Sequence, residues 1–237
     1  MTRDVLARIR RDLAEKRPAV LATSLATGAA QLLHPFEEEP VGAPALRAAA
    51  RQAALEDRSQ VVETPDGEVF LHVLNPPVRV IIVGAVHVAQ ALAQMVRQAG
   101  YDALVVDPRR SFATAERFPG IPLSAEWPDE AMARVGLDRR TAVVAMTHDP
   151  KIDDPALAAA LRSPSFYVGS LGSRKTQAAR VERLRRLGFT DADLSRIHGP
   201  VGLPIGAVSP GEIAVSILAE LVGRLRRPAG SEARAGA

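Results

Sequence analysis

The chain has 237 residues, 47% of them apolar and 4% aromatic, which is enough to bury an aliphatic core in one or two domains. Its formal net charge of +3, with acidic and basic residues interspersed, provides no basic surface of the kind that nucleic-acid binding requires. The absence of cysteine excludes disulfides, thiolate metal ligands, cysteine nucleophiles and persulfide carriage. Because neither a signal peptide nor a run of about 18 apolar residues is found, we expect a cytoplasmic protein that does not bind membranes.

Residues 1–75 predict a small α+β N-terminal domain. Apolar residues recur at helical spacing over 3–17 and again over 46–55, and a strand is predicted over 19–28. Two apolar runs flank Thr64-Pro65-Asp66-Gly67, which predicts a β-hairpin. Asn75-Pro76-Pro77 then interrupts both helix and strand geometry, so we predict the domain boundary there.

From residue 78 onward the sequence alternates between apolar strands and helices, as βαβ units do. The apolar runs are continuous, which is typical of parallel strands covered on both faces. The last helix begins at a capping box, Ser209-Pro210-Gly211-Glu212, with proline at the first helical position. We predict a Rossmann-like, doubly wound parallel sheet over 78–227 and a disordered tail over 228–237. The predicted strands are 78–84, 103–107, 141–149 and 166–170, and the predicted helices include 87–99 and 173–187.

The turn after the first of these strands matches part of a dinucleotide-binding motif. The stretch from Gly84 to Ala89 lies between a strand and a helix, and its first and last positions fit G-x-G-x-x-G/A. Asp107 ends the next strand at the distance at which an acidic residue contacts a ribose hydroxyl. Val86 replaces the middle glycine, and its side chain obstructs the approach of a pyrophosphate. The turn predicts a ligand site that disfavours NAD; the alternative is a βαβ turn packed with small residues.

The stretch YVGSLGSRKT, residues 167–176, predicts an anion-binding turn at the start of a helix. Gly169 and Lys175 fit the nucleotide motif G-x-x-x-x-G-K-[ST], but Arg174 stands where the second glycine belongs. That difference argues against a loop wrapped around a triphosphate, whereas helix-start amides beside two cations still suit a single anion. The alternative is that both cations belong to a solvated helix face. The arginines farther along this helix are expected to be solvated or to face a partner: Arg180, Arg183, Arg185 and Arg186.

A third predicted strand ends in polar residues at the same edge of the sheet. Thr147-His148-Asp149 follows the apolar run, and open α/β sheets bind ligands at this carboxyl edge. The five histidines include no pair at i and i+4, and no cysteine assists them, so we predict no metal site. Ser170 does not lie in a G-x-S-x-G turn, and we assign no catalytic residue.

Five motifs in a fixed order make the chain similar to the XdhC/CoxI family. These proteins are accessory factors of xanthine dehydrogenase, carbon monoxide dehydrogenase and related molybdenum hydroxylases. The similarity covers residues 78–226. The motifs are VGAVHVAQAL, VVDPR-SFAT-ERFP, MTHDPKIDDPAL, YVGSLGSRKT and IHGPVGLPIGAVSPGEIAVSILAEL. Full-length members carry an N-terminal module with a cysteine-containing motif, which residues 1–75 lack.

The resemblance implies a Rossmann-type domain that binds molybdenum cofactor, in its molybdopterin or nucleotide form, as a chaperone rather than a catalyst. It implies that the chain protects the cofactor during sulfuration and delivers it to an apo-hydroxylase. The expected partners are the hydroxylase, a cysteine desulfurase and a second copy of the chain in a homodimer. A terminal phosphate or pyrophosphate of the cofactor suits the anion-binding turn. The resemblance extends the binding role to Gly84, Ala85, Val86, His87, Asp107, His148, Asp149, Gly169, Ser170, Leu171, Gly172, Ser173, Arg174 and Lys175.

Two other functions stay open at this point. An NAD(P)-dependent oxidoreductase is favoured by Asp107, but Val86 and the lack of a recognisable hydride-transfer site oppose it. A partner subunit that binds nothing itself and pairs with a complete paralogue is suggested by the missing cysteine-containing module.

Overall fold

The structure is a computed structural model that describes residues 3–37 and 42–226. The chain divides between Pro76 and Pro77 into two compact units. The predicted disordered tail, 228–237, lies outside the described residues.

The N-terminal unit contains an antiparallel sheet that buries apolar side chains on both faces. Strand order is β2-β1-β4-β3, and β3 and β4 form the predicted hairpin. Along β1, Val20 packs in the cluster that includes Leu46, whereas its neighbour Leu21 packs in the cluster that includes Ile9. Successive strand residues point to opposite faces, so each face carries one helix. The elements are α1 (Arg3–Ala14), β1 (Ala19–Ser24), β2 (Ala30–Leu33), α2 (Pro44–Glu56), β3 (Gln60–Thr64) and β4 (Gly67–Leu74).

The C-terminal unit is the predicted Rossmann-like α/β domain. Within the described residues its sheet has six strands, all parallel, in the order β10-β9-β8-β5-β6-β7. The elements are β5 (Arg79–Val83), α3 (His87–Gln98), β6 (Asp102–Val106), β7 (Leu123–Ser124), α4 (Pro128–Val135), β8 (Thr141–Ala145), α5 (Pro150–Leu161), β9 (Tyr167–Ser170), α6 (Arg174–Arg186), α7 (Asp191–Leu194), β10 (Ile197–His198) and α8 (Pro210–Arg226).

Helices cover both faces of this sheet. Apolar side chains of α3 and α8 pack on one face, and those of α4, α5 and α6 pack on the other. Every residue of β5 and β8 is buried, as expected for central strands covered on both sides. The predicted capping box of α8 forms, since the Ser209 amide donates to Glu212 at 2.8 Å and the Glu212 amide to Ser209 at 3.3 Å.

The chain reverses direction across the sheet at the carboxyl ends of β5 and β8. From β5 it proceeds through α3 to β6 and β7 on one side, and it then crosses to β8 and proceeds outward to β9 and β10. Ligands of open α/β sheets bind at such a switch point.

Two sequence-based expectations need correction. The strand predicted over 141–149 ends at Ala145, because the next residues form a turn in which Asp149 caps α5 by accepting from the Lys151 amide at 2.9 Å. The short edge strands β7 and β10 were not predicted, since two residues are too few to show a periodic pattern.

Candidate functional site

The predicted binding residues lie in four loops that follow β5, β6, β8 and β9, which are neighbours in the sheet. Parallel strands bring their carboxyl ends to one edge, so all four loops lie at that edge. The exposed members of the set are His87, His148, Ser173, Arg174 and Lys175. The half-buried members are Val86, Asp149, Leu171 and Gly172, and the buried members are Gly84, Ala85, Asp107, Gly169 and Ser170.

The turn after β5 lies tightly against the turn after β8. Gly84 has φ +107°, and a Cβ placed on it would lie 2.5 Å from Cγ2 of Thr147. Only glycine adopts this conformation at such close approach without strain. Val86 is the N-cap of α3 in extended geometry and makes no side-chain capping bond. The apolar Val86 side chain therefore stands where a dinucleotide site would present bare backbone.

Asp107 holds the β5 turn from below. The Asp107 carboxylate is fully buried and accepts hydrogen bonds from the Ala85 amide at 2.8 Å and from the Arg109 guanidinium at 2.8 and 2.9 Å. Burial alone would raise the pKa of Asp107, but the bonds from Arg109 and the Ala85 amide outweigh it and lower that pKa. Direct contact between this carboxylate and a ligand would require Arg109 to move.

A buried carboxylate of α5 organises the turn after β8. Asp153 accepts from the Thr147 amide at 3.1 Å, from the Thr147 hydroxyl at 2.7 Å and from the His148 amide at 3.0 Å. These bonds hold His148 at φ +65°, a left-handed conformation that is uncommon for residues other than glycine. The exposed imidazole approaches the next loop, since a Cβ on Gly172 would lie 3.6 Å from His148 Nδ1.

Arg180 links the turns after β8 and β9, which corrects the expectation that it is solvated. It is 1% exposed, donates to the Leu171 carbonyl at 3.2 Å and lies 3.5 Å from the Asp153 carboxylate. Burial lowers the pKa of Arg180, while the charges of Asp153 and Asp154 oppose that change. The buried ion pair therefore connects the two loops through the helices that follow them.

Two other arginines of α6 also differ from the expectation. Arg183 binds Asp154 of α5 at 2.5 Å, and Arg185 binds Asp191 at 2.7 Å. Both therefore have partners within the domain.

The turn after β9 leads into the first turn of α6. Ser173 caps this helix by accepting from the Thr176 amide at 3.2 Å. Within the described residues, the amides of Arg174 and Lys175 make no hydrogen bond, and both side chains are exposed. The first amides of a helix lack intrahelical partners and attract anions. The predicted anion-binding geometry is present in the backbone, with two cations beside it.

Sequence reasoning missed the supporting residues Asp153, Arg180 and Arg109. The burial of Arg180 carries a signal, because it lies four residues before the buried Leu184 on the inner stripe of α6. No local pattern marks Asp153 as the acceptor of two backbone amides, because its partners depend on how the β8 turn packs.

Metal clusters and membrane-spanning helices are both missing from residues 3–37 and 42–226. In these ranges, no three histidine or carboxylate side chains come together in a way that could hold a metal ion. Over the same residues, every helix is too short or too polar to cross a membrane.

Comparisons with known proteins agree with this architecture. The chain is 33% identical over 147 residues to the molybdenum cofactor insertion chaperone PaoD of Escherichia coli (strain K12), which covers 62% of this chain and 40% of PaoD. It is 30% identical over 161 residues to a probable xanthine dehydrogenase subunit of Bacillus subtilis (strain 168), which covers 68% of this chain and 47% of that protein. The chain thus spans less than half the length of these curated relatives.

A solved structure has the same fold. The crystal structure of a xanthine dehydrogenase from Bacillus halodurans superposes with a TM-score of 0.69 at 23% identity, covering 94% of this chain and 67% of that one. The family model of the XdhC Rossmann domain matches residues 80–221, which is more than half of the chain. With the parallel sheet, the switch point and this match together, the chain belongs to the XdhC Rossmann domain family.

Proposed function

We propose that the chain binds molybdenum cofactor and assists its sulfuration and its insertion into a molybdenum hydroxylase of the xanthine or carbon monoxide dehydrogenase type. Family membership and the similarity to PaoD, a molybdenum cofactor insertion chaperone, support the proposal. When bound, the cofactor supplies the metal and dithiolene chemistry of the hydroxylase, and this chain supplies binding, orientation and shielding. It acts as a chaperone rather than as a catalyst.

The observation that carries the proposal is the anion-binding turn at the start of α6. The unpaired amides of Arg174 and Lys175, with their exposed side chains, suit a terminal phosphate or pyrophosphate. Ser170 adds a buried hydroxyl at the end of β9 that has no hydrogen-bond partner within the described residues. The donor set therefore fits a phosphorylated ligand at this edge of the sheet.

The neighbouring loops would orient the rest of the ligand. Gly84 to His87 present a half-buried, apolar Val86 and an exposed imidazole, and His148 stands beside Gly172. An apolar wall with a few polar groups is typical of sites for planar, heteroaromatic ligands such as a pterin. Asp107 supports this surface from below through the Ala85 amide.

The same contacts weaken the NAD(P) alternative. A ribose hydroxyl would need a free carboxylate oxygen on Asp107, but Arg109 and the Ala85 amide engage both oxygens. Val86 adds a side chain where the pyrophosphate would approach the backbone.

Mass spectrometry of ligand that copurifies with the chain from a molybdate-supplied host tests the proposal. We expect molybdopterin or its nucleotide form. Copurification of NAD would contradict the proposal. So would a chain that binds no molybdenum cofactor when it is incubated with cofactor released from a hydroxylase, and that result would favour a non-binding partner subunit.

The proposed role includes a molybdenum hydroxylase and a cysteine desulfurase as cytoplasmic partners, and a homodimer as the working state. Exposed Leu6 and Leu13 on α1 and Val215 on α8 leave apolar surface that a second copy could cover. We expect light scattering to give twice the chain mass of 25.2 kDa. A mass equal to that of one chain would contradict the dimer without affecting cofactor binding.

A further inference from the structure

A polar cluster lies where β9 and β10 face α8, apart from the four loops described above. Its members are Tyr167 of β9, His198 of β10 and Glu220 of α8, and we call them the Glu220 cluster. The rings of Tyr167 and His198 stack with centroids 4.6 Å apart. The sequence motif that begins at Ile197 contributes to the family resemblance, but it has no part in the function proposed above.

Glu220 is a fixed anion at the centre of the cluster. Within the described residues, its oxygens accept from the Tyr167 hydroxyl at 2.6 Å, from His198 Nδ1 at 2.9 Å and from the Gly202 amide at 2.8 Å. Burial opposes ionisation, but the bonds from His198, Tyr167 and the Gly202 amide outweigh it and lower the pKa of Glu220 to about 2. The carboxylate is therefore ionised throughout the neutral range.

This anion sets the tautomer and orientation of His198. An ionised carboxylate can only accept, so the proton of the neutral imidazole is on Nδ1 and the lone pair is on Nε2. Nε2 has no hydrogen-bond partner in the part of the chain that the structure describes. The His198 side chain is 17% exposed, and Nε2 is absent from the fully buried unpaired atoms of the same residues. The ring therefore offers one nitrogen to a ligand or to solvent.

The cluster is joined to the proposed anion-binding turn. His198 pairs in register with Gly169 across the β10–β9 ladder. The Val201 amide donates to the Ser170 carbonyl at 3.1 Å, and a Cβ on Gly199 would overlap the Gln177 side chain in the first turns of α6. The chain after His198 thus packs on the strand end and the helix that form the turn.

The cluster costs more than a structural role would require. Burying a carboxylate and a tyrosine hydroxyl removes both from water, and well-packed apolar side chains of similar volume would stabilise the domain as well or better. A carboxylate that orients one nitrogen of a histidine leaves the other available for proton transfer or ligand contact.

Charge at the cluster depends on His198. Tyr167 stays neutral because burial, and then Glu220, raises its pKa. Glu220 carries a negative charge, and Arg224 of α8 lies near enough to lower the pKa of Tyr167. With neutral His198 these charges sum to zero, and with protonated His198 they sum to about one positive charge. Protonation thus converts an acceptor into a cationic donor at the same atom.

From this geometry we propose that His198 contacts an oxyanion of the bound ligand, and that binding of the oxyanion is coupled to protonation of Nε2. The assignment of that oxyanion to the phosphate of molybdenum cofactor rests on the function proposed above. One proton moves from solvent to Nε2, and no covalent bond of the ligand changes.

Nuclear magnetic resonance of the full chain tests this with sulfate as the probe. The His198 ring protons are titrated between about pH 5 and 8, in sodium sulfate and in sodium chloride of equal ionic strength, and His198→Gln identifies the resonance. We expect the midpoint to rise by about 0.3 to 1 pH unit when sulfate is present at one to ten times its Kd. His72, exposed on β4, should titrate identically in both salts. Equal midpoints for His198 in the two salts would overturn the proposal.

Three variants extend the test. Tyr167→Phe keeps the stacked ring and should keep the sulfate-dependent rise, whereas Glu220→Gln should reduce it, provided that its thermal unfolding stays cooperative. Loss of the rise in Arg174→Ala/Lys175→Ala would support one anion shared with the α6 turn, and its persistence would support a separate contact. A rise that survives His198→Gln as a pH-dependent sulfate affinity would contradict the assignment to this residue.

The sulfate experiment contains no molybdenum cofactor. Equal His198 midpoints would therefore reject this inference and leave the proposed function standing. A sulfate-dependent rise in a chain that binds no cofactor would reject the proposed function instead.

Discussion

Gly84, His148 and Gly172 all have positive φ, and they bring the turns after β5, β8 and β9 against one another. For the two glycines this conformation costs little, but a residue with a Cβ is strained by about 1 to 2 kcal/mol in the left-handed region. At His148 the bonds from Thr147 and His148 to Asp153 offset that strain. Strained residues held in this way concentrate at ligand sites, so His148 is the residue whose conformation most favours a binding role.

The side chains of Arg174 and Lys175 carry the first prediction. Replacing both with alanine removes two charge-assisted contacts to the proposed phosphate, each worth roughly 1.5 to 3 kcal/mol, so we expect cofactor affinity to fall about a hundredfold or more. The thermal midpoint should barely change, because exposed charges contribute little to folding. Equilibrium binding of isolated cofactor and a thermal melt measure the two effects.

Arg186→Ala is the matched control, because Arg186 is exposed at the other end of α6. Arg183 is unsuitable, since its ion pair with Asp154 ties α6 to α5. Unchanged cofactor affinity in the double variant would place the phosphate elsewhere, with the Gly84 to Ala89 turn as the next choice.

Glu220 makes stability depend on pH. Its pKa is about 2 in the folded chain against 4.5 in the reference state, so folding favours the ionised form. The contribution is fully present above about pH 4.5 and is lost as pH falls toward 2; the shift limits it to roughly 3 kcal/mol. We expect Glu220→Gln to lower the free energy of unfolding at neutral pH and to differ less from the original chain as pH falls. Urea denaturation at several pH values measures this, and a difference independent of pH would contradict it.

At the scale of elements, the carboxyl-edge loops are held by the helices that follow them. Asp153 of α5 fixes the turn after β8, and Arg180 of α6 holds both that carboxylate and the Leu171 carbonyl. Helices packed on a sheet are more rigid than the loops at its edge, so side chains that project from them orient the loops. The binding surface therefore depends on the interiors of α5 and α6 as much as on the loops themselves.

Two neighbouring aspartates of α5 test this arrangement. Asp153→Ala leaves Arg180 buried without its partner and removes the acceptor of two backbone amides, so we expect a loss of about 3 to 5 kcal/mol of stability. Asp154→Ala removes a partner of the half-exposed Arg183 and should cost about 1 kcal/mol or less. Urea denaturation compares the two variants. Equal losses would show that the buried pair does not hold the loops.

At the scale of the whole molecule, cysteine-free composition constrains how sulfur can reach the cofactor. Persulfide carriers need a thiol, and the chain has none. In the proposed maturation role, sulfur therefore passes from the desulfurase to the bound cofactor directly. We expect mass spectrometry to find no sulfur added to the polypeptide after incubation with a desulfurase and cysteine. A mass increase of one sulfur atom on the chain itself would contradict this route.

The sequence by itself determined the order of strands and helices, the hairpin, the capping box of α8 and the four polar strand ends. These features depend on neighbours within a few residues, where periodicity and capping chemistry act. The tertiary structure decided the strand order β10-β9-β8-β5-β6-β7, the two-residue strands at its edges and the burial of Arg180. It also decided the partners of Asp107 and Glu220. Each of these depends on which distant elements pack together, because a charged side chain enters a core only where another element supplies its partner.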